Sequence, residues 1–295
     1  MDTERYTPPV SQLLTYGDCR KLGKQWPNYV QELGLTTDHI PQLIQLMTDE
    51  ALWVADSDSL EVWSTAHAWR ALAQLKAIAA IEPLLALFAD HEEDDYLNEE
   101  TPQVLAMMGP EALPNLPPHL ENRHLSEWAK VAIALGIRKI GEQHPDSQPA
   151  CIELLHHQLQ TYRTNSDALN GWLVDGLVAF KALDSAALIE EVYAKGDIDD
   201  MCAGTWPRVQ VDLGLKQESE FNRKDFVPAF ARTMRESLFG SGPSRASDST
   251  LPLDLSALQG GGPPKFGTGS LKAPQGFAKK TQGFAQGTGK KAKKK

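Results

Sequence analysis

Three stretches of this chain superimpose on one another without gaps, and no other feature constrains the fold as strongly. Leu72, Leu75, Ala77, Ala80, Ile81 and Leu84 are spaced L-x-x-L-x-A-x-x-A-I-x-x-L. Thirty-two residues on, Val104, Met107, Gly109, Ala112, Leu113 and Leu116 take the same positions. At an offset of 105, Leu177, Phe180, Ala182 and Ile189 match Leu72, Leu75, Ala77 and Leu84. Each stretch reads as a helical hairpin, a unit too small to bury its own apolar face. Recurrence at roughly 30–45 residues marks hairpins that stack to share a core. The spacing therefore predicts an all-α chain: an α-solenoid of about five antiparallel helix pairs over residues 8–235, stacked with a right-handed sense.

Strand-like alternation is absent, and Ala, Leu, Glu and Gln fill most windows. The first hairpin runs from about Ser64 to Asp90. Its first helix places Ala68, Leu72, Leu75 and Ala79 on one stripe, and its second, with Pro83 in the first turn, buries Leu84, Leu85, Leu87 and Phe88. The next breaks at Gly109-Pro110. A third starts from Ser126 as N-cap and stops before Pro145, with a partner carrying Ile152, Leu155 and Leu159. A fourth spans about 168–195 and ends at Gly196. A second echo frames the repeats: Trp26-Pro27 precedes Leu33-Gly34-Leu35, and Trp206-Pro207 precedes Leu213-Gly214-Leu215, both W-P-x5-L-G-L. These read either as matching end elements or as two helix stops at Leu-Gly.

Charge divides the chain. It carries 29 basic and 39 acidic residues. Ten of the basic and two of the acidic ones lie in 241–295, a net +8, which leaves 19 and 37 in residues 1–240, a net −18. Residues 1–238 thus form a folded acidic domain. Residues 239–295, rich in Gly, Pro and Ser, bury too little apolar surface to offset chain entropy and are predicted to be a disordered tail. The tail ends in Lys290, Lys291, Lys293, Lys294 and Lys295. At roughly 1 kcal/mol per lysine near an anionic surface, the cluster supplies about 5 kcal/mol, a weak attachment that salt removes. Phe266, Phe277 and Phe284 lie between lysines, where they could stack on bases. The tail reads as an electrostatic attachment to a polyanion such as RNA or the ribosome, or as a solubilising extension.

Three unpaired cysteines (Cys19, Cys151, Cys202) suit a reducing compartment. Residues 1–5 show no signal-peptide pattern, and the longest apolar runs fall short of the ~20 residues of a membrane span. The expectation is a cytoplasmic protein with no membrane span.

Candidate chemistry is sparse. Trp63, His67, Trp69 and Arg70 form the richest local set. Trp63, His67 and Arg70 fall at i, i+4 and i+7 on one helix face, so they read either as a recognition surface, since Trp and Arg dominate binding hot spots, or as packing between repeats. Asp90 to Glu100 holds seven carboxylates around His91 without calcium-loop spacing. It reads as a solvated loop, as a site for a cation or basic ligand, or as an internal seat for the lysine tail. Cys151, Glu153, His156 and His157 lack the converging ligands zinc needs, so no metal is assigned. Gly287-Thr288-Gly289-Lys290 lacks the strand and helix of a phosphate loop. No catalytic residue and no cofactor is assigned.

Trp26-Pro27-Asn28-Tyr29, the run Ala66-His67-Ala68-Trp69-Arg70-Ala71-Leu72, and Gly204-Thr205-Trp206 with Leu213-Gly214 resemble a group of uncharacterised bacterial proteins built of HEAT-like repeats of the phycobilisome-lyase type. The resemblance covers roughly residues 20–215. The ending Gln286-Gly287-Thr288-Gly289-Lys290-Lys291-Ala292-Lys293-Lys294 resembles the glycine–lysine half of a SEC-C motif whose cysteines are missing. The resemblance implies HEAT-like helix pairs and leaves function open. The leading expectation is a non-enzymatic scaffold or adaptor that binds another protein or peptide on the solenoid face. The second is a nucleic-acid- or ribosome-associated factor steered by the tail, and the third, from repeat type alone, a bilin lyase or chaperone.

Overall fold

Every regular element among the described residues is a helix. The computed structural model describes residues 5–22 and 25–239. The chain divides into two units, Met1–Pro243 and Ser244–Lys295; of the predicted tail 239–295, Phe239 belongs to a helix and the rest, with the five terminal lysines, lies outside the described residues. Nine helices among the described residues have eight or more residues: α1 (Ile40–Met47), α2 (Ser64–Gln74), α3 (Asp95–Met108), α4 (Glu127–Gln143), α5 (Gln148–Leu159), α6 (Asp167–Ala179), α7 (Ala186–Lys195), α8 (Trp206–Leu213) and α9 (Ala229–Phe239). Shorter helical turns join them, among them Tyr29–Leu33, Ile81–Ala86, Pro117–Glu121 and Asp200–Ala203. None of the helices is long and apolar enough to cross a membrane.

The packing follows chain order. α2 lies against α1 and α3, α3 against α4, α4 against α6, and α6 against α8. α5 packs on both α4 and α6, and α7 packs on α8. Small residues set the spacing. A Cβ at Gly136 of α4 would lie 2.6 Å from Leu105 Cδ1 of α3, and one at Gly176 of α6 would lie 2.8 Å from Leu155 Cδ1 of α5. At α2 the N-terminal turn Val10–Thr15 and the helix Tyr29–Leu33 close over the helix as well. Every residue from Ser64 to Ala73 is consequently buried. A helix enclosed on all sides by neighbours must satisfy its polar side chains internally. Ser64 does so by donating to the Glu61 carbonyl at 2.5 Å.

The 105-residue offset in sequence is also an offset in backbone geometry. After α2, Lys76 turns left-handed at φ 51°, and after α6 Lys181 does so at φ 53°. The Ala77 amide donates to the Leu72 carbonyl and the Ala182 amide to the Leu177 carbonyl, both at 3.0 Å, the Schellman arrangement that ends a helix. Each turn runs on into a short 3₁₀ segment, Ile78–Ala80 or Leu183–Ser185, and then a helix. At Gly109 the third copy departs from this pattern. Its backbone sits at φ 86°, ψ −167°, and the chain continues into the 3₁₀ turn Pro110–Asn115. Lysine in the left-handed region costs about 1 kcal/mol, and Lys76 is exposed. Lys76→Gly should therefore raise stability by about 0.3–0.6 kcal/mol, net of the entropy glycine adds to the unfolded chain. Urea unfolding checks this, and a lowered midpoint would contradict the turn geometry.

The two W-P-x5-L-G-L segments also fold alike locally. Gly34 and Gly214 end their helices at φ 67° and 81°. Their last leucines differ: Leu35 is 3 % exposed and Leu215 46 %.

One expectation is corrected. The acidic run from Asp90 to Glu100 is not a loop throughout. Asp94 is an N-cap that accepts from the Leu97 amide at 2.7 Å, and α3 starts at Asp95. An acidic first turn complements the positive end of a helix, so the charges read as solvation in fact start a helix.

Candidate functional site

The side chains singled out on α2 lie inside the molecule. His67 is 0 % exposed, Trp69 2 % and Arg70 4 %, which corrects the expectation of an open recognition face. The residues 10–19 and Tyr29 that cover them are up to 60 positions away in sequence, and helix periodicity carries no record of such a cover. Trp63, at the end of the turn before α2, is half-buried. The Arg20 guanidinium lies 4.8 Å above its ring, and Tyr96 of α3 meets it edge-on at 5.3 Å.

Arg70 faces Glu100 of α3. Its Nε donates to Glu100 Oε2 at 2.8 Å, and its Nη2 pairs with Oε1. Trp69 Nε1 donates to the same Oε2 at 2.8 Å. The Trp26 ring lies 5.2 Å from the guanidinium carbon. Burial disfavours the Arg70 cation, but the Glu100 carboxylate outweighs it and holds the group charged. Such a two-pronged pair is strong only because each charge is met in full.

His67 joins three parts of the chain. Its Nε2 lies 2.8 Å from the Gly17 carbonyl, and its Nδ1 lies 2.7 Å from the Tyr29 hydroxyl. A carbonyl only accepts, so the imidazole proton belongs on Nε2 and Nδ1 accepts from the phenol. Burial lowers the His67 pKa to about 4, and the Arg70 charge adds to that. The Cys19 sulfur lies 3.7 and 3.8 Å from the two ring nitrogens. A cysteine beside a histidine is the outline of an activated nucleophile. Here burial drives the thiol up to about 12, and both imidazole nitrogens have shorter bonds elsewhere. The pair rests as a neutral thiol beside a neutral imidazole, and its chemistry at neutral pH is packing.

Asp18 completes the cluster. It accepts from Arg20 Nε and Nη2 at 2.9 and 2.7 Å and from the Arg20 amide at 2.9 Å, and the bond to the Arg20 side chain holds its carboxyl below the usual range. Gln74 ties the end of α2 to the same segment by donating to the Pro27 carbonyl at 2.7 Å. Reading the sequence alone misses Tyr29, Cys19 and Glu100 as members of this site. Tyr29 stood in a quoted motif and Glu100 in the acidic run, but neither carried a signal tying it to α2.

Elsewhere, His156 Nδ1 pairs with Ser185 Oγ at 2.8 Å, while His157 is exposed. Among the described residues no three His, Cys, Asp or Glu side chains converge as a metal would require. Exposed apolar side chains occur along the described chain, at Val54, Leu60, Trp128 and Leu183 as well as at Met201, Leu215, Val227 and Phe230. The Ala229 amide donates to Asp200 at 2.7 Å. On either side of that bond stand Met201, 48 % exposed, and Phe230, 59 % exposed. No family model, curated protein or solved structure matches this chain.

Proposed function

We propose that this protein is a binding module, a HEAT-like stack of helix pairs that captures another protein or peptide without transforming it. The chain-ordered packing from α2 through α3, α4 and α6 to α8, with shorter helices between them, supports the stack. So does the recurrence of one helix-ending turn at Lys76 and Lys181. The observation that carries the binding reading is the use of the polar groups. His67, Cys19, Arg70, Glu100 and Asp18 are all engaged by neighbouring side chains or backbone, while Met201 and Phe230, each next in sequence to a residue of the Ala229–Asp200 bond, remain exposed. Exposed apolar groups brought near one another are the common mark of a protein contact. The capturing surface is therefore placed at this end and not on the enclosed α2 face. The lysine tail adds local concentration at a polyanionic partner, and the surface adds selectivity.

The test is affinity capture from the protein's own cells. The double variant Met201→Lys/Phe230→Asp should lose partners that the parent retains, at least tenfold by quantitative mass spectrometry, with an unchanged helical circular dichroism spectrum. Undiminished capture by that variant would refute the placement. Partners that include nucleic acid, and that vanish only when residues 241–295 are removed, would favour the tail-driven factor instead.

A further inference from the structure

We infer that His67 is an acid-released latch: when it gains a proton, residues 5–33 let go of α2 while the helices beyond α3 keep their packing. The geometry supplies the latch. His67 is the one side chain of α2 that bonds both the Gly17 carbonyl and Tyr29, so it clasps two separate pieces of the N-terminal segment. That segment packs chiefly on α2 and the turn Glu61–Trp63, with further bonds from Gln74 to the Pro27 carbonyl, from Arg5 and Tyr6 to Asp49 and from Thr7 to Gln42. The segment lies outside the chain-ordered packing of α3, α4, α6 and α8, so it can open as a local unit without unpacking those helices.

A new proton on Nδ1 can turn the bond to Tyr29 around, since a phenol oxygen also accepts, but no free carboxylate meets the charge, which burial and the Arg70 cation oppose. From the N-terminal segment Tyr16, Asp18, Cys19 and Tyr29 face His67, and from α2 Arg70 does. α3 brings Tyr96 and Glu100 to the same cluster, at Cys19 and Arg70. Both carboxylates are engaged, Asp18 by Arg20 and Glu100 by Arg70. The cation nearest to a protonated imidazole would be Arg70, one turn along the helix.

The direction of the effect follows from proton binding. A released histidine titrates near 6.5, and the clasped one near 4. Between those values the open form binds more protons, so closure is fully favoured above about pH 6.5 and is lost as the pH falls through 4. Between pH 7 and pH 5 the open population should rise about twentyfold. Release uncovers His67 on α2, one of the residues the sequence marks as suited to recognition. The latch stands or falls independently of whether α2, or the C-terminal surface, binds a partner.

Hydrogen exchange of the full chain at pH 7 and pH 5, corrected for the intrinsic pH dependence of exchange, tests the inference. Peptides from residues 5–33 should lose protection about twentyfold at pH 5, while α4 and α6 stay unchanged. His67→Gln should abolish that difference. An even loss across all helices, or the same selective loss in His67→Gln, would overturn the latch. Should that variant fail to fold, the imidazole carbon-bound proton of His67 in the parent decides by NMR: titration at or above pH 6 in the folded protein would overturn it equally.

Discussion

Glu100→Ala is expected to remove about 3–5 kcal/mol of stability, read as a large drop in the urea midpoint at constant slope. The substitution leaves Arg70, its side chain 5 % exposed and its guanidinium 5.2 Å from the Trp26 ring, with no counter-charge. Trp69 Nε1 loses its acceptor at the same time. A buried cation cannot shed its proton when that proton belongs to arginine, so the cost falls on the fold. The same reasoning gives an internal control. Replacing both partners together, Arg70→Met with Glu100→Leu, should recover the part of the loss that belongs to the uncompensated charge, leaving about 1–3 kcal/mol for the Trp69 Nε1 donor without an acceptor. A loss below about 1 kcal/mol for Glu100→Ala would mean that water reaches the pair and that the cluster is not closed.

Gly171→Ala is the second large effect, at about 3 kcal/mol. A Cβ there would lie 2.7 Å from Cys202 Cβ and 2.8 Å from the Asp199 carbonyl oxygen. That neighbouring segment has little freedom to retreat. The Asp199 amide donates to the Asp167 carbonyl at 2.9 Å, and Asn170 Nδ2 donates to the Asp197 carbonyl at 2.7 Å. Gly176→Ala on the same helix offers the comparison. Its close neighbour is a terminal methyl of Leu155, which can rotate away, so the expected cost is about 1 kcal/mol. Equal losses at the two positions, measured by urea unfolding, would show that the segment from Asp197 to Cys202 yields and that the argument from backbone pinning fails.

Particular residues show how far the chain could be read in advance. The helices of the all-α expectation were legible because their signals are local. Ser126 accepts from the Ala129 amide at 3.2 Å as an N-cap should, and Gly196 ends α7 at φ 78°. The repeated L-x-x-L-x-A pattern also announced a shared turn, since Ala77 and Ala182 follow residues in the same rare conformation. The acidic run misled because carboxylates that solvate a loop and carboxylates that begin a helix have the same composition. Asp94 and Glu100 differ from their neighbours only in what folds against them.

The site on α2 was legible as a cluster and illegible as an environment. Spacing of i, i+4 and i+7 predicted Trp63, His67 and Arg70 along one helix face, but Trp63 closes the 3₁₀ turn before the helix that carries the other two. It could not tell that Gly17, Cys19 and Tyr29 close over that side, since contacts across 38 to 50 residues leave no periodic trace. The sequence by itself determined which segments coil into helices, where many of them stop, and which stretches repeat. Tertiary structure alone decided that a histidine, a cysteine and an arginine suited to recognition or catalysis are instead walled off and neutralised. The physical reason is that hydrogen-bonding reach and turn preference act over a few residues, whereas burial, and with it charge state, depends on everything that packs within a few ångströms.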